Sequence, residues 1–141
     1  MSALVAVDFS EVTQKQMETV IRLLADRAVF VLHVAEPDPD FVGFQAGPHE
    51  VRDQIAAEYR EEHQAVQALA DRLRSEGIDA TALLVQGPTA ATVLDQAERL
   101  EADLIVVGSH GRSAVYDLIA GSISAEVIRK STVPVLVVPS R

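Results

Sequence analysis

The chain has 141 residues, 48% of them apolar and 23% charged, which supports one hydrophobic core and a single domain over residues 1–141. It has no cysteine, so disulfides and thiolate metal sites are excluded. A net charge of −9 sets the surface against nucleic-acid phosphates, no apolar run is long enough to span a membrane and no basic leader precedes the first strand, so a soluble cytoplasmic protein is expected.

Ala3 to Val7 is an apolar strand ending at Asp8. Ser10 is a candidate N-cap for the helix that follows, whose apolar stripe is Met17, Val20, Ile21 and Leu24. Val29 to Val34 forms the second strand, and His33 within it is expected to be packed or hydrogen-bonded rather than a ligand. Ala35 to His49 holds three prolines and two glycines and reads as a long loop, a lid or contact surface, with Phe41 and Phe44 as its anchors.

Glu50 to Ser75 has helical periodicity, with Ile55, Tyr59, Val66, Leu69 and Leu73 on one face and charges on the other. Gly77 suits a helix-ending C′ position, with Ile78 folding back onto the helix. Asp79 to Gln86 is the third strand. Pro88 then suits the first position of a helix lined by Ala90, Val93, Leu94, Ala97 and Leu100.

Leu104 to Val107 is β-branched and apolar, as a buried parallel strand requires. It breaks at Gly108-Ser109-His110-Gly111. A helical pattern follows, through Val115, Leu118, Ile119, Ser122, Ile123 and Val127, and Val135 to Val138 is the last strand. The order β-α-β-α-β-α-β-α-β predicts a doubly wound five-stranded parallel sheet. Ligands bind such sheets beyond the carboxyl ends of the strands.

The glycine loop sits at such a place. Glycine lets a backbone turn and approach a ligand closely, and successive N–H groups can then point at one anion. A helix start nearby adds its positive dipole end. The loop is therefore a candidate phosphate cradle, set against a plain strand–helix turn with a packing glycine. Other α/β chemistries lack their residues. There is no G-x-x-x-x-G-K-[ST] and no G-x-S-x-G. The first turn, Asp8-Phe9-Ser10-Glu11, has no glycine for a dinucleotide fingerprint. The turn after the third strand, Gln86-Gly87-Pro88-Thr89, has no phosphate-accepting aspartate, and the four histidines are scattered.

Gly108-x2-Gly111-x9-Gly121-Ser122 resembles the ATP-binding signature of the universal stress protein family. The flanking strands and the opening Val5-Ala6-Val7-Asp8-Phe9-Ser10 are similar to that family too, so the resemblance runs through the whole chain. It implies strand order 3-2-1-4-5, the Rossmann-like fold of the adenine-nucleotide alpha-hydrolases. It also implies ATP or another adenine nucleotide, with magnesium a further candidate, at the ends of strands 1 and 4.

Carried over residue by residue, Asp8 would contact ribose or base, and Val34 and Val107 would line the adenine pocket. Gly108 and Gly111 would lie under ribose and phosphates. Gly121 and Ser122 would hold the outer phosphates, with Ser124 a further hydroxyl and Arg112 a source of positive charge. For Asp8 the competing role is a carboxylate at a helix start. The resemblance also implies a homodimer through Val135 to Val138, an apolar edge strand. No catalytic base is evident, so nucleotide binding without fast turnover is expected. The expected role is an ATP-dependent stress-response switch. An AMP or cyclic-nucleotide sensor, a slow ATPase and a nucleotide-free interaction module are the alternatives.

Overall fold

The computed structural model describes residues 1–35, 49–109 and 122–140, with residues 49–58 described by their backbone. The elements run β1 (Ser2–Val7), α1 (Val12–Leu23), β2 (Ala28–Ala35), α2 (His49–Ser75), β3 (Ala80–Gln86), α3 (Thr89–Arg99), β4 (Leu104–Gly108), α4 (Ser122–Lys130) and β5 (Val135–Val138). The strands form one parallel sheet in the order β3-β2-β1-β4-β5, as expected. The expected loop from Ala35 to His49 and the residues from His110 to Gly121 fall largely or wholly outside the described residues.

Both faces of the sheet are covered, because β-strand alternation sends successive side chains to opposite sides. Val5, Val7, Val29, Val31 and Val106 meet Met17 and Val20 of α1 and Val66 and Leu73 of α2. Leu4, Leu32, Val34, Ile105 and Val107 meet Ala90 and Val93 of α3 and Val127 of α4. Continuous apolar strands are what a sheet buried on two faces needs.

The helix ends show local chemistry at work. Gly77 lies at φ 82°, its N–H donates to Arg74 O and the Ile78 N–H to Leu73 O, and Ile78 is buried. This is the predicted Schellman ending. The same pair of bonds closes α3, Glu101 N–H to Glu98 O and Ala102 N–H to Ala97 O, but there the left-handed position belongs to Glu101, at φ 53°.

Three local expectations are corrected. Pro88 is the N-cap of α3 with extended backbone, one residue before the first helical position. Ser10 does not cap α1: Glu11 occupies that position, and the Ser10 Oγ is buried with no hydrogen-bond partner. The cause is the turn before it, where Phe9 takes φ 60° and the chain enters the helix one residue late. On α4 the buried face carries Ser124 and Val127, while Ser122 and Ile123 are exposed, because the Ser124 hydroxyl is drawn down onto the end of β4.

Candidate functional site

The strand order reverses between β1 and β4, whose carboxyl ends carry Asp8 and Gly108. The two strands are paired from Ala3↔Leu104 to Val5↔Val106, although β1 runs on to Val7 and β4 to Gly108. Beyond that pairing, side chains take carbonyls of β1. The buried Gln16 amide donates to Ala6 O at 2.8 Å. The buried His33 ring places Nδ1 3.0 Å from Val7 O. This is the switch-point crevice of an open α/β sheet.

Asp8 stands at its rim, half-buried, and its Oδ1 accepts the Ser10 N–H at 2.9 Å. A short acidic side chain bonded to the backbone two residues on is an Asx-turn. One carboxylate oxygen therefore shapes the turn from β1 into α1. In the same turn the Ser10 and Thr13 hydroxyls are buried without hydrogen-bond partners.

Gly108 has a structural reason to be glycine. A Cβ there would overlap Val12 Cγ1 in the first turn of α1. Its carbonyl accepts the Ser124 hydroxyl proton at 2.6 Å, which ties α4 to the end of β4. Ser109 fastens the same point to the next strand: its N–H donates to Val138 O at 2.8 Å and its Oγ accepts the Ser140 N–H at 3.2 Å.

Val34 and Val107 are packed in one hydrophobic cluster on the α3 and α4 face, at 7% and 4% exposure, so they offer little more than their edges to a ligand. Ser122 is exposed within α4. Gly111, Arg112 and Gly121 lie outside the described residues. Asp8, Val34, Val107, Gly108 and Ser124 thus gather at the carboxyl edge of the sheet. A groove of about 550 Å³ between α3 and α4, lined by Ala102, Ile105, Thr132 and Val133 among others, lies at the opposite, amino ends of β4 and β5.

Sequence reasoning missed Val12, Gln16 and Ser109 as builders of this edge. Val12 and Gln16 read as ordinary helix residues, and only the fold brings them to Gly108 and Ala6. His33 was expected to be packed or hydrogen-bonded, and it is both. Among the described residues no three His, Asp or Glu side chains converge as a metal site, and no helix is long and apolar enough to cross a membrane.

A family model described as the universal stress protein family matches residues 1–139. The chain belongs to the universal stress protein family. The universal stress protein YxiE of Bacillus subtilis is 28% identical to it, over 96% of both chains. Among solved structures, MJ0577 superposes with a TM-score of 0.80 at 26% identity, covering 98% of this chain and 94% of that one; its source is Methanocaldococcus jannaschii. A universal stress protein in complex with cAMP superposes with a TM-score of 0.69 at 20% identity, over 100% of this chain and 98% of its own. One from Archaeoglobus fulgidus in complex with dAMP gives 0.62 at 23% identity, over 98% and 97%. These last two likenesses establish the shared fold of the universal stress protein domain.

Proposed function

We propose that this chain binds an adenine nucleotide at the crossing of β1 and β4 and works as a nucleotide-dependent switch in the stress response. The observation that carries the proposal is the convergence of Asp8 and Gly108 at the ends of adjacent central strands where their pairing has stopped. An aspartate there can accept from ribose hydroxyls, and the buried Ser10 hydroxyl beside it is an unused donor and acceptor. Membership of the family supports the reading, as do relatives of the same fold solved with cAMP and dAMP.

In this proposal Val34 and Val107 flank the base, and Gly108 and Gly111 run beneath ribose and phosphates. Gly121, Ser122 and Arg112 lie toward the outer phosphates. The Ser124 proton already serves Gly108 O, so Ser124 acts by shaping the loop's root. Magnesium would enter with a triphosphate, whose oxygens and water suit this small hard cation. No described residue is placed as a catalytic base, which favours binding over fast turnover. A second reading, a sensor of AMP or a cyclic nucleotide, is favoured by the monophosphates in those two relatives. We place the protein in the cytoplasm as a homodimer through Val135 to Val138, the edge strand of the sheet.

Calorimetric titration with ATP, AMP and cyclic AMP, with and without magnesium, tests the proposal, with Asp8→Asn as the control variant. Binding of ATP in preference to the others, weakened in the variant, supports the switch. Tighter AMP or cyclic AMP binding selects the sensor. No binding of any of the three overturns both readings.

A further inference from the structure

His33 grips the chain on both sides of Asp8. It is the register partner of Val7 in the parallel pairing of β1 with β2. Its Nδ1 lies 3.0 Å from Val7 O, the carbonyl immediately before Asp8. A carbonyl can only accept, so Nδ1 carries the proton. The ring also packs against Phe9, the residue immediately after Asp8, with centroids 4.6 Å apart and planes tilted by 42°. Phe9 sits at φ 60°, a conformation that costs a non-glycine residue free energy and persists only when its surroundings hold it.

The third contact comes from α2. His33 Nε2 is 3.8 Å from Glu62 Oε2, and that oxygen is buried without a hydrogen-bond partner. His33 is 6% exposed, enclosed between β1, the turn and α2.

We propose that His33 is a positioning residue for Asp8. By bonding Val7 O and bracing the Phe9 ring, it fixes the left-handed turn that aims the Asp8 carboxylate. The ligand-binding consequence rests on the nucleotide reading above, whereas the positioning itself does not. His33 touches no nucleotide in this scheme. It acts through the backbone on either side of the carboxylate, and the Asp8 Oδ1 bond to the Ser10 N–H reports whether the turn is held.

The test has two arms on His33→Leu and His33→Asn. Leucine keeps apolar bulk and removes the donor, whereas the asparagine amide nitrogen can stand in for Nδ1. In nucleotide-free protein, hydrogen exchange at the Ser10 amide is expected to speed up at least tenfold in His33→Leu and to return toward wild type in His33→Asn. Unchanged Ser10 exchange in His33→Leu overturns the proposal whether or not any nucleotide binds.

In the second arm, ATP and AMP affinities are measured for wild type, His33→Leu, Asp8→Ala and the double variant. His33→Leu is expected to weaken binding roughly tenfold in the wild-type background and hardly at all on top of Asp8→Ala, the non-additivity of residues acting as one unit. Equal losses in both backgrounds overturn action through Asp8 and leave only a general packing effect. Wild-type protein that binds neither nucleotide sinks the nucleotide reading, and the exchange arm still decides the role of His33.

Discussion

Gly108 and Val12 lie so close that the end of β4 and the first turn of α1 leave no room for a methyl group between them. Gly108→Ala is therefore expected to destabilise the fold by about 1–3 kcal/mol, the usual cost of overpacking. Trimming the obstacle with Val12→Ala is expected to recover part of that loss, so the double variant is more stable than the sum of the single effects. Urea midpoints of the four proteins check this, and strict additivity would refute it. A loss of ligand binding in Gly108→Ala alone says little about contact with a nucleotide.

Two helices end in the same hydrogen-bond pattern with opposite residues at the critical place. Gly77→Ala is expected to cost roughly 1 kcal/mol because of its left-handed backbone, although the space around it is open. Glu101→Gly is expected to stabilise the protein by up to about 1 kcal/mol for the same reason. Thermal unfolding should move in opposite directions for the two variants; a shift of the same sign in both would contradict the shared motif.

Asp8 carries a structural bond and a proposed ligand contact, and these can be separated. Asparagine retains the carbonyl oxygen that accepts from the Ser10 N–H, so Asp8→Asn is expected to change stability by less than about 0.5 kcal/mol. Loss of the charge is expected to weaken adenine-nucleotide binding about tenfold or more, as for hydrogen bonds to a charged group. Asp8→Ala loses both, with roughly 1 kcal/mol of stability following the turn. Unfolding curves measured alongside the titrations separate the two effects.

Glu126 and Lys130 are one helical turn apart, with Nζ 2.9 Å from the carboxylate. The hydrogen bond from Lys130 and then its charge hold the Glu126 carboxyl below its ordinary value of 4.5, and Arg129 adds to this. A carboxyl whose folded value is depressed stabilises the fold fully above its unfolded value. That contribution disappears as pH falls through the lower, folded value. Carbon NMR of the Glu126 carboxyl should show a depressed midpoint that rises toward 4.5 in Lys130→Met. High salt should shrink the difference, because the pair is exposed.

Most of the sheet is legible from periodicity alone. Five apolar β-branched runs and the helical stripes between them place the strands, and Gly77 announces the end of α2. The start of α1 is not legible in the same way. Ser10 has the chemistry of a cap, but the backbone of Phe9 is set by tertiary contact with His33, which no local pattern records. Glu101 is hidden for a related reason, since nothing in its residue type signals a left-handed turn. At Gly108 the residue is legible and its local cause is not. The spacing of glycines points to a phosphate cradle, whereas the packing demand comes from Val12, almost a hundred positions away in sequence. His33 shows how far the reading reaches: its burial follows from the strand, but its partners come from two distant segments, Val7 and Phe9 on either side of Asp8, and Glu62 in α2.

The carbonyls of Ala6 and Val7 are each met by a side chain, one from α1 and one from β2. Two buried side chains, Gln16 and His33, thus hold the rim of the crevice together with the ladder to β2, while the pairing of Ala3 to Val5 with β4 holds the sheet below it. The side-chain bonds at the rim are therefore distinct from the backbone ladders that fix the strand order. Substitution at two positions could reshape the mouth of the crevice while the strand order stays untouched, giving evolution or an engineer a place to change what is recognised without rebuilding the fold.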